Sequence, residues 1–126
     1  MLYTHQTDGS IQFHGNEQYK STVIPSLNVW HHVVAVVHAN QTYDLWLDGS
    51  KVVSALAYKY HAGAATCLCV GKYGTTTSIN EPFNGQISDV RIYGTDLSET
   101  DIKELYNTSA SLTNNGRLLS YSFNES

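Results

Sequence analysis

The run Trp30-His31-His32-Val33-Val34-Ala35-Val36-Val37-His38 decides the fold class. Its middle is apolar and rich in β-branched residues on both sides of the pleat, which suits a strand covered on both faces. It predicts a central strand. The next run, Tyr43-Asp44-Leu45-Trp46-Leu47-Asp48, alternates instead, with Leu45 and Leu47 on one face and Asp44, Trp46 and Asp48 on the other. Ala39 to Thr42 turns the chain between the two. Asp48-Gly49 then supplies the positive-φ turn into a further strand, Lys51 to Ala57.

Working outward, Leu2 to His5 and Ile11 to His14 flank Thr7-Asp8-Gly9-Ser10 and read as a hairpin, followed by a strand from Gln18 to Ile24 that ends at Pro25. Short strands are expected at Thr66 to Gly71 and across Phe83 to Tyr93. One helix is predicted after Leu97. Ser98 is a natural N-cap with Asp101 three residues on, and Ile102, Leu105 and Tyr106 recur at helical spacing. Beyond a polar linker, Asn114-Asn115-Gly116 turns into a last strand, Arg117 to Phe123. Strands recurring at this spacing read as an all-β antiparallel sandwich with one short helix near the C-terminus.

The 126 residues suffice for a single domain with one core. Seven Lys and Arg against eleven Asp and Glu give a net charge of -4 with no basic stripe, which argues against nucleic acid. No apolar run approaches the roughly 18 residues a membrane-spanning helix needs. The N-terminus, Met1-Leu2-Tyr3-Thr4-His5, has the marks of no signal peptide. Cys67 and Cys69 sit two apart on one expected strand, a poor geometry for a mutual disulfide, and no set of ligands for zinc accompanies them. Free thiols suit a reducing compartment, a virion assembled there, or an extracellular bacterial protein, many of which also lack disulfides. Sequons stand at Asn40, Asn107 and Asn124, but a chain this rich in Asn, Ser and Thr gives about two by chance, so they carry little weight.

Three stretches in order carry a family resemblance: Trp30 to Val36; Leu45-Trp46-Leu47-Asp48-Gly49; and Phe83-Asn84-Gly85-Gln86-Ile87-Ser88-Asp89-Val90-Arg91-Ile92-Tyr93, followed by Leu97-Ser98 and the helix. With Leu68-Cys69-Val70-Gly71 they resemble the second half of the laminin-G-like, concanavalin-A-like jelly roll of lectins, bacterial surface proteins and phage tail proteins. On that pattern Trp30 enters the core and Gly85 permits close backbone approach. The pattern usually has several strands before the Trp-His-His strand, whereas about thirty residues precede it here. The final strand, 117–123, resembles the one with which such domains begin. It either starts a following repeat or, as in a circular permutation, fills the first-strand slot beside Phe83 to Tyr93. The final strand is expected to fill that slot. A reduced sandwich of this kind leaves edges or apolar surface open, which predicts a homo-oligomer.

The resemblance implies a carbohydrate-binding module, and sugars are held by aromatic faces with planar polar groups beside them. Trp46, Asp44, Asp89, Arg91 and Tyr93 supply such chemistry if their strands share one sheet. Covered by protein, Trp46 is ordinary core, and Arg91 with Asp89 or Asp44 is an ordinary ion pair. Tyr58, Tyr60, His61 and Tyr73 form a second candidate group, in loops. Calcium sites occur in parts of this superfamily, but Asp8, Asp44, Asp48 and Asp89 are scattered, so no metal or other cofactor is implied. The glutamates show no paired-carboxylate arrangement of a glycosidase, and no nucleophile elbow or nucleotide loop occurs. The expected function is non-catalytic recognition of cell-surface or cell-wall glycans in a phage tail or bacterial surface protein, on a virion or cell surface. The alternative is a structural oligomerisation or decoration domain with no sugar ligand.

Overall fold

A computed structural model of the protein describes residues 2–4, 8–13, 21–57, 70–71, 73–74, 79–80, 82–108 and 116–122. Its elements are β1 (Leu2–Thr4), β2 (Ile11–Phe13), β3 (Val33–Val37), β4 (Thr42–Leu47), β5 (Ser50–Ala57), β6 (Tyr73–Gly74), β7 (Ile79–Asn80), β8 (Asp89–Tyr93), α1 (Glu99–Thr108) and β9 (Arg117–Ser122). The strands pair antiparallel as β1-β2, β3-β4-β5, β6-β7 and β8-β9. The ordered elements among the described residues are mostly β with one short helix.

Among the described strands, β4 and not β3 is the central one of the three-stranded sheet. Valines on both sides of β3 report cover on both faces, which differs from hydrogen bonding on both edges. That cover is present. Val33, Ala35, Val37, Tyr43, Leu45, Leu47, Val53 and Leu56 surround the buried Ile11 of β2. On the opposite face Val34, Val36 and Trp46 meet Ile102 of α1 and Leu97 before it. Burying both faces places the core on either side of one sheet.

Turn chemistry fixes the register. Asp48 (φ 50°) and Gly49 (φ 76°) form the two-residue turn that pairs Leu47 with Ser50, as a primed turn requires. A Cβ on Gly49 would lie 2.8 Å from Tyr106 Cδ1, so the glycine also admits α1 against the turn. The helix starts on a reciprocal cap: the Asp101 N–H donates to Ser98 Oγ at 3.2 Å, and Ser98 N–H donates to Asp101 Oδ2 at 2.9 Å. Glu99 and Asp101 place negative charge in its first turn.

β9 lies beside β8, with Val90 opposite Tyr121 and Arg91 opposite Ser120. Of the expected strand Gln18 to Ile24, residues 18–20 lie outside the described residues, and of the expected strand Phe83 to Tyr93 only Asp89–Tyr93 is strand. No strand occurs in 21–24, because the Ser21 hydroxyl accepts the Val23 N–H at 3.1 Å, and a single bond from Ile11 N–H to Val23 O (2.8 Å) joins the segment to β2. Residues 83–88 are irregular as well. A Cβ at Gly85 would meet the Phe83 ring at 2.7 Å, so this glycine accommodates a folded-back side chain instead of a neighbouring backbone. Most of the expected strand Thr66 to Gly71, with both cysteines, lies outside the described residues.

Candidate functional site

Trp46 is only 3% exposed. It sits in β4 opposite Val34, with Val36 and Ile102 against it and the Lys51 ammonium 5.0 Å from its ring centre. The helix that starts at Ser98 therefore closes the face on which this tryptophan was expected to meet a ligand. The cover comes from its own chain, so an oligomer is not needed to bury it.

Asp44, one residue earlier, is buried too. β5 spends eight residues opposite six of β4, with register breaks either side of Leu45. At the bulge Ala55 adopts φ 49°, and its N–H donates to Asp44 Oδ1 at 2.8 Å. Lys51 Nζ donates to Asp44 Oδ2 at 2.7 Å, and His38 Nε2 lies 3.5 Å from the same oxygen. Burial pushes the Asp44 carboxyl up, but the Ala55 N–H and Lys51 outweigh it and hold it below the usual range. His38 Nδ1 meets Asp96 Oδ2 at 2.8 Å, and this contact, with Asp44 adding to it, raises the imidazole's pKa. Asp44 is a structural anchor.

On β8, Arg91 Nε donates to Asp89 Oδ1 at 3.1 Å and its Nη2 bonds the other carboxylate oxygen. Among the described residues β4 and β8 belong to different hydrogen-bonded groups, so no described pairing joins Trp46 and Asp44 to Asp89, Arg91 and Tyr93 in one sheet. Tyr58, Tyr60 and His61 lie outside the described residues. Tyr73 is placed by its backbone alone, in β6.

Residues 24–31 form a further candidate site, one that no sequence motif marks. Trp30, expected in the core, is 63% exposed, and Leu27 and Val29 stand out at 84% and 62%. His31 fastens the base of this loop. Its Nε2 lies 3.0 Å from both the hydroxyl and the carbonyl oxygen of Ser26, and its Nδ1 lies 2.7 Å from Asp48 Oδ2. Asp48 Oδ1 also accepts the His32 N–H at 2.9 Å. The Asp48 contact, aided by Ser26, raises the His31 pKa. Burial works against ionisation of Asp48, but the His32 N–H and His31 prevail and lower its pKa. His32 points the other way, against Tyr106 with ring centres 5.9 Å apart, and burial lowers its pKa.

Ser26, His31 and Asp48 are ordered like a nucleophile, base and orienting acid. The protonation pattern differs. A carboxylate on Nδ1 and a carbonyl on Nε2 are both acceptors, so the favoured imidazole carries two N–H groups and has no lone pair for the Ser26 proton. The arrangement is a clamp. Among the described residues no group of three or more His, Cys, Asp or Glu could hold a metal ion, and no helix is long and apolar enough to cross a membrane.

The model of the concanavalin A-like lectin/glucanases superfamily, laminin G type, matches residues 1–103. The chain belongs to this superfamily. The match begins with the first hairpin, so this lectin-superfamily domain carries the family pattern before Trp30 as well as after it. It ends inside α1, leaving β9 beyond it. No curated protein and no solved structure matches the chain.

Proposed function

We propose that this domain is a non-catalytic carbohydrate-binding module, arranged as a jelly roll, that recognises cell-surface or cell-wall glycans in a phage tail or bacterial surface protein. The observation that carries this reading is membership of a lectin superfamily over residues 1–103. Superfamily membership alone does not fix function, so the local chemistry has to agree. It does so in one respect: the Ser-His-Asp arrangement has its imidazole committed on both nitrogens, which suits positioning and not proton transfer. Screening the protein on an array of immobilised oligosaccharides and purified bacterial cell-wall polysaccharide tests the reading. Saturable binding to at least one sugar is expected; a blank array would reject it.

A second reading is an oligomerisation domain without a sugar ligand, favoured by exposed Leu27, Val29, Trp30 and Leu118. Light scattering across micromolar concentrations separates the two. A constant monomer mass would rule out self-association.

A further inference from the structure

We infer that the Trp30 loop is a subsite for a neutral pyranose, with the Trp30 indole as stacking platform and the side chains of Asn28 and Ser26 as hydrogen-bonding neighbours; this rests on the carbohydrate-binding reading above. Four consecutive residues, Leu27 to Trp30, are exposed, and Trp30 is one of only two tryptophans in the chain. An indole left 63% exposed is a costly surface unless something covers it in use.

The loop is held in place. The His31 ring closes it by meeting Ser26, and Asp48 ties that ring to the β4–β5 turn. Asn28 adopts φ 60° at the tip, a left-handed conformation that asparagine tolerates better than most residues. Exposed apolar residues on a braced loop form a preorganised contact surface, which lowers the entropy lost on binding.

Charge selects the occupant. No Lys or Arg occurs from Ser21 to His38, and the imidazole of His31 has both nitrogens engaged within the protein. Among the described residues of this loop, a phosphate or an anionic lipid headgroup would find no free cation. A neutral sugar needs none, since its C–H face stacks on an indole while its hydroxyls take amide and hydroxyl partners.

Iodide quenching of tryptophan fluorescence tests this on the intact protein, because iodide reaches Trp30 and not the buried Trp46. Saturating amounts of a sugar that binds on the array should protect the quenchable component. Trp30→Ala should weaken that sugar's binding by about ten-fold or more, equivalent to about 1.4 kcal/mol, and Asn28→Ala by less. Full binding by Trp30→Ala would overturn the subsite while leaving a lectin elsewhere on the domain. Absence of any sugar binding by the wild type would overturn both the subsite and the function. Protection by phosphatidylcholine vesicles, or by raising protein concentration, with none from sugar would also overturn it and assign the loop to lipid or to a second copy.

Discussion

Trp30 and Trp46 lie sixteen residues apart at the margins of the same β3–β4 hairpin, and they meet opposite fates: 63% exposed against 3%. Hydrophobicity does not distinguish them. Trp46 is buried because α1, capped by Ser98 and Asp101, brings Ile102 onto its face of the sheet. Trp30 precedes β3 in a loop whose base is fastened by His31. Burial of an aromatic is thus set by what the topology places above it, and the exposed member of the pair is the one available to a ligand.

The largest effect expected from breaking this contrast is at Trp46. Trp46→Ala empties a buried site and should cost about 3–5 kcal/mol, read by urea denaturation. Asp48→Ala should follow, at about 1–3 kcal/mol, because it leaves the His31 ring and the His32 N–H without their acceptor and puts alanine at positive φ. Asp48→Asn keeps the turn and an acceptor oxygen, so its loss should be smaller. Ser98→Ala removes the cap that starts the helix over Trp46 and should cost about 1 kcal/mol. Trp30→Ala should change stability least, by roughly 0.5 kcal/mol or less, while its consequence for sugar binding is the larger one.

Acidity sharpens the comparison further. His31 and His38 have raised pKa values, so their ion pairs contribute fully below the ordinary histidine value of 6.5, and that stability is lost as pH rises through the folded values. Asp44 and Asp48 have lowered values, so their share is present above 3.8 and is lost as pH falls through the folded ones. His32, kept neutral by burial, contributes above 6.5 and loses its share as pH falls through its lowered value. An NMR titration should find His31 and His38 above 6.5 and His32 below it. Asp48→Asn should bring His31 down and leave His38 in place.

The strands legible in the sequence were those with a strong local signal. The β4 alternation, the Asp48-Gly49 turn and the Ser98 cap each depend on neighbours in the chain, and each is found where its residues indicate. The N-terminal hairpin agrees with the reading too, and β9 pairs with β8. What escaped depends on distant contacts. Nothing near Trp46 announces a helix more than fifty residues later as its cover, and nothing in Trp30-His31-His32 shows that His31 would reach back to Ser26 and forward to Asp48. The one hint of the loop was a run of apolar residues, Leu27, Val29 and Trp30, set among loop-type residues after Pro25.

The uneven lengths of β4 and β5 carry one more consequence. Among the described strands β5 is paired on one side only, and its bulges twist the backbone where another chain would have to align. With Ala55 left-handed and its N–H already given to Asp44, that edge is a poor template for adding a strand. The protein can therefore display an apolar loop at one end of the sheet without inviting fibrillar growth along this side of it.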